Sequence, residues 1–199
     1  HHRWLGSFVD EEKGLLLKEW IKPVLRETYR QSYIHARECD AHLPLNHILY
    51  NDTKMYLEGD ILHKVDRASM AASLEVRVPL LNQNVVQFAS ELPLDLKLRR
   101  LTTKFLLKKS VEHILPKAII RRPKKGFNMP VAYWLTNELR ELTLDMLSEA
   151  RINRQDLFDY AYVKRLLDEH FLHQRDNRKA LWTLLIFQLW YARYIEGSA

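Results

Sequence analysis

The sequence is organised around the stretch at residues 56–82, YLEGDILHKVDRASMAASLEVRVPLLN. Its first part has apolar side chains at the intervals of a helix, which the sequence predicts to begin with Asp60 as its N-cap and to end near Ser73. Asp60 and Lys64 lie four residues apart, where opposite charges attract on one helix face. A plain surface helix would carry the same pair, so the spacing by itself does not assign a function.

The second part of the stretch, residues 74–81, alternates apolar with charged side chains. Pro79 disfavours helical backbone at Val78 and favours an extended segment. In an extended segment Glu75 and Arg77 point to the same side, and the branched apolar residues point to the other. An edge strand or a structural ion pair would give the same pattern.

These residues resemble the synthetase domain of the glutamine-dependent asparagine synthetase family. The first match is DR at 66–67 followed by EVRVP at 75–79. A second match is TKFLLK at 103–108, and a third is LPK at 115–117 through RPKKGF at 122–127. The matches follow the family's order and spacing, so the resemblance covers roughly residues 50–135.

The resemblance implies a mostly α fold, with residues 1–199 as one domain. This domain is the helical C-terminal portion of a synthetase domain of the adenine-nucleotide α-hydrolase-like (ATP pyrophosphatase) type. The family's pyrophosphate signature, Ser-Gly-Gly-x-Asp-Ser, is not in the sequence, and five glycines are too few to assemble a phosphate-binding loop. We therefore expect the parallel-sheet, ATP-binding half of the domain to be absent from this chain.

The activity that the resemblance implies is ATP-dependent amide formation. Aspartate, ATP and ammonia released from glutamine give asparagine, AMP and pyrophosphate through a β-aspartyl-adenylate. The chain would supply part of the synthetase active site and would be an incomplete enzyme alone. ATP with Mg²⁺ would be bound mainly by the missing N-terminal half, and the partners would be the N-terminal synthetase and glutaminase portions. A homodimer is left open.

The resemblance also assigns roles to single residues. Glu75 aligns with the family's active-site glutamate, and Lys124 aligns with its lysine beside the phosphates, so both are predicted to be catalytic. Support on the substrate and nucleotide side is expected from the other motif positions, namely Asp66, Arg67, Arg77, Lys104, Lys125 and Gly126.

Two features keep other functions open. The family usually has aspartate where this chain has Asn82, so the acceptor could be another carboxylate, as in exopolysaccharide or peptide modification. The net charge of +6 is concentrated at residues 97–125, which a non-catalytic helical module could use to bind nucleic acid or a partner protein. The region lacks the aromatic interleaving of a single-strand binder, so nucleic acid is the less favoured partner.

Cysteine usage and hydropathy predict a cytoplasmic protein. The one cysteine, Cys39, cannot form an intrachain disulfide, and no apolar run approaches the length of a membrane span. His35, Cys39 and His42 have a spacing that would place three zinc ligands on one helix face. Pro44 argues against helix there and a fourth ligand is not evident, so no metal site is predicted.

The remaining pattern is helical. A threonine at 102–103 is predicted to cap a helix with Phe105, Leu106, Val111 and Ile114 inward. Further helices are predicted at 130–135, 138–148, 160–171 and 179–195. The last of these is predicted to bury a wide apolar stripe, made of Leu181, Trp182, Leu185, Ile186, Leu189 and Trp190.

Overall fold

The structure, a computed structural model, describes residues 6–25, 27, 29–124, 126 and 129–197. Its contacts divide the chain into two compact units, unit 1 (His1–Ile34 and Asn128–Ala199) and unit 2 (His35–Phe127). Most described residues of each unit are helical, which confirms the mostly α fold. The assignment of residues 1–199 to a single domain stays a prediction.

The elements are short except at the C-terminus. In the described residues, the strands are β1 (Leu98–Arg99) and β2 (Thr102–Thr103), which pair antiparallel. A π-helix at Thr53–Leu62 joins two α-helices, and 3₁₀ turns lie at Lys22–Val24 and Pro79–Leu81. The α-helices are α1 (Asp10–Leu16), α2 (Arg30–Glu38), α3 (Pro44–Asp52), α4 (His63–Ala71), α5 (Gln83–Glu91), α6 (Leu94–Lys97), α7 (Phe105–Ser110), α8 (Lys117–Ile120), α9 (Val131–Thr136), α10 (Arg140–Met146), α11 (Glu149–Gln155), α12 (Tyr160–Phe171) and α13 (Arg178–Tyr194).

Unit 1 has an apolar core assembled around α13, which contacts α9, α10 and α12. Leu181 and Leu185 on α13 are 0% and 1% exposed, as their helical spacing predicts. Ile186 and Trp190 belong to the same predicted stripe but are 46% and 48% exposed. The stripe is therefore narrower than predicted, because a helix packed on one side buries only the residues that face its neighbours.

A buried polar pair joins α11 to α13 inside unit 1. The side-chain amides of Gln155 and Gln188 each donate to the other's carbonyl oxygen, at 2.8 and 2.7 Å. Gln188 is fully buried, so this reciprocal pairing satisfies groups that water cannot reach. Near the N-terminus, Leu17 forms a β-bridge with Phe158, which attaches the end of α1 to this unit.

The principal element of unit 2 is one continuous helical run, which consists of α3, the π-helix and α4. The prediction that Asp60 caps a new helix is wrong, because Asp60 lies inside the π-helix. Helical turns precede Asp60, so the free N–H groups that an N-cap serves are not available there. Its carboxylate instead pairs with Lys64 Nζ at 3.1 Å, the i,i+4 pair that the spacing predicts.

The helical run ends close to the predicted residue. α4 stops at Ala71, and Ser73 adopts a left-handed conformation with φ of 54°. Residues 74–78 then run without regular structure, so the edge strand considered for this segment is not formed. Asn82 accepts a hydrogen bond from the backbone N–H of Asn84 at 3.0 Å and caps α5. Asparagine and aspartate cap helices equally well, so this departure from the family pattern preserves the local structure.

The predicted threonine cap before α7 is also wrong. Thr102 and Thr103 form β2 and pair with Arg99 and Leu98. The N-cap position belongs to Lys104, whose φ and ψ of 54° and 40° are left-handed. The helix is shorter than predicted, since it ends at Ser110, and Ile114 is 69% exposed instead of inward.

Large apolar side chains of unit 2 remain in contact with solvent. Leu101 at the turn between β1 and β2 is 98% exposed, and Phe88 on α5 is 58% exposed. Within the described part of this unit, Asn51 is the one residue that is buried. Unit 2 therefore presents much more apolar surface than a self-contained core would leave uncovered.

Candidate functional site

Glu75 and Arg77 form an ion pair on the surface of unit 2. Arg77 Nη2 lies 2.7 Å from Glu75 Oε1, which confirms that the two side chains point to one side of the extended segment. Their side chains are 73% and 85% exposed. An ion pair this exposed contributes about 0–1 kcal/mol to stability, so folding alone gives little reason for its presence.

The apolar residues that alternate with this pair are also exposed. Leu74, Val76 and Val78 expose 60%, 50% and 49% of their surface. Pro79–Leu81 follows as a 3₁₀ turn, with Leu80 at 65% exposure. The charged and apolar sides of the segment are therefore both accessible to another polypeptide or to a ligand.

Asp66 and Arg67 lie on α4 and are exposed. The backbone carbonyl of Asp66 accepts a hydrogen bond from Ser69 Oγ at 3.1 Å, within the same helix. In the described residues, no hydrogen bond or ion pair connects either side chain to Glu75 or Arg77. Their supporting role stays a prediction.

The cationic motif residues occupy two surface segments. Lys104 is exposed at the start of α7 with left-handed backbone, a conformation that costs a non-glycine residue free energy. No residue pattern around Lys104 signals that conformation. Lys124 and Gly126 are exposed in the loop that follows α8, and Lys125 lies outside the described residues. The catalytic roles predicted for Glu75 and Lys124 also stay predictions.

The residues present fit part of an ATP site. Exposed lysine side chains at 104 and 124 could contact phosphate oxygens, which need fixed positive charge. The described ranges contain no group of three or more histidine, cysteine or acidic residues that could hold a metal ion. The zinc-like spacing is interrupted, because α2 ends at Glu38 and His35 Nδ1 lies 3.0 Å from the Glu38 carboxylate. The described part of the chain thus presents exposed cations and no cluster of three or more such metal ligands.

Two pockets of about 300 and 310 Å³ lie in unit 1, and neither is lined by a motif residue. None of the helices among the described residues has both the length and the apolar character that crossing a bilayer requires. The described motif residues named above are all exposed on the surface of unit 2.

Comparison with known proteins extends the motif match to almost the whole chain. The asparagine synthase family model matches residues 3–192. The chain belongs to the asparagine synthase family. The match covers all of unit 2 and most of unit 1, well beyond the span at 50–135 that carries the motifs.

Curated relatives in the asparagine synthase family are much longer than this chain. Asparagine synthetase [glutamine-hydrolyzing] 1 of Bacillus subtilis is 35% identical over 98% of the chain and 30% of its own length. A putative asparagine synthetase of Mycobacterium bovis is 41% identical over 78% of the chain and 24% of its own length. The asparagine synthetase of Gallus gallus is 37% identical over 70% of the chain and 26% of its own length. No solved structure matched significantly.

Proposed function

We propose that this chain supplies part of the active site of an asparagine synthetase. The reaction consumes aspartate, ATP and ammonia from glutamine, and it produces asparagine, AMP and pyrophosphate. The observation that supports this proposal best is the exposed Glu75–Arg77 ion pair, which occupies the family's EVRVP motif. The pair adds little stability, so its presence is better explained by chemistry at this surface.

The proposed reaction has two steps. An oxygen of the aspartate side-chain carboxylate attacks the α-phosphorus of ATP, and pyrophosphate leaves with the electrons of the broken P–O bond. Ammonia then attacks the acyl carbon of the β-aspartyl-adenylate, AMP leaves, and the nitrogen loses a proton. Mg²⁺ would accompany ATP and would be bound mainly by the rest of the synthetase domain.

Each catalytic role follows from charge. Lys124 stabilises the negative charge that develops on the leaving phosphates, because a fixed cation favours the transition state over the ground state. Glu75 orients the attacking nitrogen or accepts its proton. Arg77, 2.7 Å away, holds the Glu75 carboxylate in one orientation and is a positioning residue. Asp66, Arg67, Lys104, Lys125 and Gly126 support the same side of the site.

Further polypeptide completes this site. The chain spans less than a third of the length of the relatives named above. Leu74, Val76 and Val78 are about half exposed on the side of the segment opposite the ion pair, and a partner surface that covered them would bury apolar side chains that this chain leaves in water. Burial of that apolar surface would favour association of the two parts.

The basic-module alternative is weakened by the contacts of its lysines. Lys97 Nζ donates to the Ser90 carbonyl at 2.8 Å and to Asn46 Oδ1 at 3.1 Å. Lys109 Nζ lies 2.7 Å from Glu112 Oε1. Cations already engaged inside the chain are less available to a polyanion.

The test measures pyrophosphate release by the full-length protein with aspartate, ATP and ammonia. Glu75→Gln and Lys124→Ala should each lower the rate about 10²-fold or more, because each removes a charge placed for the transition state. Retained thermal stability would show that the loss is chemical. Wild-type rates in both variants would overturn the assignment.

Glu112→Gln and Lys109→Ala are the matched controls. They break an ion pair of the same 2.7 Å length that is also exposed, outside the proposed site. Both should keep wild-type rates. Replacing aspartate by other carboxylates in the same assay identifies the acceptor, since pyrophosphate release without aspartate dependence would favour a different amide ligase.

A further inference from the structure

A pocket of about 300 Å³ in unit 1 has no role in the proposed reaction. It lies between the N-terminal segment at 6–12, helix α12 and the first turn of α13, and it is close to the lower limit of pockets that bind small molecules. Its wall combines charged side chains with apolar ones. The charged residues are Glu12, Arg175, Asp176, Arg178 and Lys179, and the apolar surface comes from Phe8, Tyr162, Leu166 and Ala180.

The N-terminal wall of this pocket is held in place by contacts within unit 1. Thr183 Oγ1 donates to Ser7 Oγ at 2.6 Å, which attaches the segment to α13. The backbone N–H of Val9 donates to Glu12 Oε2 at 3.1 Å, and Phe8 packs against the apolar core. A ligand would therefore not have to order this wall when it binds, which favours affinity.

Two arginine–carboxylate pairs at the pocket are longer than a charge-assisted hydrogen bond, whose usual length is about 2.7–2.9 Å. Arg175 Nη2 lies 3.6 Å from Glu12 Oε1, and Arg178 Nη1 lies 3.4 Å from Asp176 Oδ2. A guanidinium carries several N–H donors, and a carboxylate has several acceptor positions. The loose geometry therefore leaves both partners of each pair able to bond to a ligand as well.

The mixture of charges selects the kind of ligand. A simple anion would meet the carboxylates of Glu12 and Asp176, and a simple cation would meet three positive side chains, so each would be repelled as well as attracted. A molecule that carries both charges can pair with both sets, which is electrostatic complementarity. In an α-amino acid the ammonium and the carboxylate are bonded to one carbon and lie as close together as the groups of one ion pair. Such a zwitterion can lie antiparallel to the pair of Arg175 and Glu12, with each of its charges against the opposite one.

We propose that this pocket binds a small α-amino acid as its zwitterion, with an apolar side chain. The ligand's carboxylate accepts from Arg175, its ammonium donates to Glu12, and its side chain contacts the apolar part of the wall at Phe8 and Leu166. The lining residues are distinct from the synthetase motif residues, so the site would remain if the proposed reaction were disproved.

The first test compares three probes of the 199-residue chain by NMR. L-Valine carries both charges, isobutylamine lacks the carboxylate, and 3-methylbutanoate lacks the ammonium, while all three share the same branched apolar group. L-Valine should shift the side-chain Nε of Arg175 and the backbone amides of Val9 and Ala180. It should bind at least about tenfold more tightly than either analogue, because each analogue loses one charge-assisted pair. Binding of an analogue as tight as that of L-valine, shifts confined to other residues, or no binding of any probe would overturn the proposal.

A set of variants assigns the two charges of the ligand. Arg175→Gln should remove most of the preference for L-valine over isobutylamine, because the partner of the carboxylate is lost. Glu12→Gln should remove most of the preference for L-valine over 3-methylbutanoate, because the partner of the ammonium is lost. An unchanged preference in either variant would overturn the proposal.

Arg154→Gln is the matched control. Arg154 also pairs with a glutamate in unit 1, and its side chain is 64% exposed against 61% for Arg175, but it lies outside the pocket wall. Both preferences should be unchanged in this variant, and their loss would assign recognition to a site other than the pocket. Should Glu12→Gln fail to fold, the change at the exposed Arg175 and the comparison of the probes on the unaltered chain still decide.

Discussion

Units 1 and 2 are similar in helix content and differ in what their apolar residues do. Unit 1 closes over its own core, with Leu135, Leu147 and Ile152 all at 0% exposure. Unit 2 carries the family motifs and leaves Leu80 65% and Leu101 98% exposed. Buried apolar surface is the main source of stability in a folded chain. Unit 1 is therefore the more self-contained part, and unit 2 leaves much of its apolar surface uncovered.

The largest expected effect contrasts one leucine from each unit. Leu181→Ala in unit 1 should lower the free energy of unfolding by about 2–5 kcal/mol, because it removes a fully buried side chain and leaves a cavity. Leu80→Ala, the matched change in unit 2, should cost well under half as much, since that side chain is already largely in water. Urea denaturation followed by circular dichroism measures both. Equal losses of unfolding free energy in the two variants would contradict the difference in apolar burial between the units.

The hydrogen-bonded amide pair of Gln155 and Gln188 in unit 1 should give the next largest effect on stability. Gln188→Leu should destabilise by about 1–3 kcal/mol, because the half-buried amide of Gln155 loses both of its hydrogen bonds to Gln188. The double variant with Gln155→Leu should recover much of that loss, since it leaves no unpaired amide. A double-mutant cycle in urea measures the coupling, and additive effects would show that the two amides act independently.

The shifted pKa of His170, a residue of unit 1, predicts that the free energy of unfolding depends on pH. Burial lowers this pKa in the folded chain, so the unfolded chain binds the proton more readily. The stability contribution is present above the ordinary histidine value near 6.5 and is lost as pH falls from there toward the lowered pKa. Unfolding free energies at pH 7.5, 6.5 and 5.5 should decline more in the wild type than in His170→Phe. A parallel decline in both chains would assign the effect to other groups.

The smallest effect is expected on the surface of unit 2. Asp60→Asn removes the pair with Lys64, whose side chain is 65% exposed, and should cost only a few tenths of a kcal/mol. High salt should reduce the cost further, because exposed charges are screened. Thermal unfolding at low and high ionic strength checks this, and a cost above about 1 kcal/mol would place the pair in a less solvated environment.

Much of unit 1 could be predicted from the sequence. The pattern at 160–171 matches α12, and the one at 179–195 differs from α13 by a single residue at each end. Both helices are long and periodic, and their apolar faces are covered by this same chain. Here local pattern and tertiary packing agree, which makes periodicity a reliable guide.

The errors in helix capping fall in unit 2, where local signals compete with longer-range structure. Asp60 has the sequence features of a cap, but a helix already runs through it. Thr103 also resembles a cap, but it pairs with Leu98 in a strand, and Lys104 takes the capping position. Cap rules describe free helix ends, so they fail where the preceding residues are already ordered. The Glu75–Arg77 geometry needed only the two-residue period of extended backbone, and it was predicted correctly.

The π-helix at Thr53–Leu62 determines which way the following helix faces. An α-helix turns by about 100° per residue, and π-helical segments commonly arise where one residue is accommodated as an extra within an α-helix. A one-residue deletion that restored regular α-helical turns would rotate α4 (His63–Ala71) about its own axis by about that angle. Asp66 and Arg67 would then be carried away from their present side, while the helix itself stayed intact. The number of residues between Asp52 and His63 therefore sets the direction in which Asp66 and Arg67 point, because a π-helix has a wider turn than an α-helix.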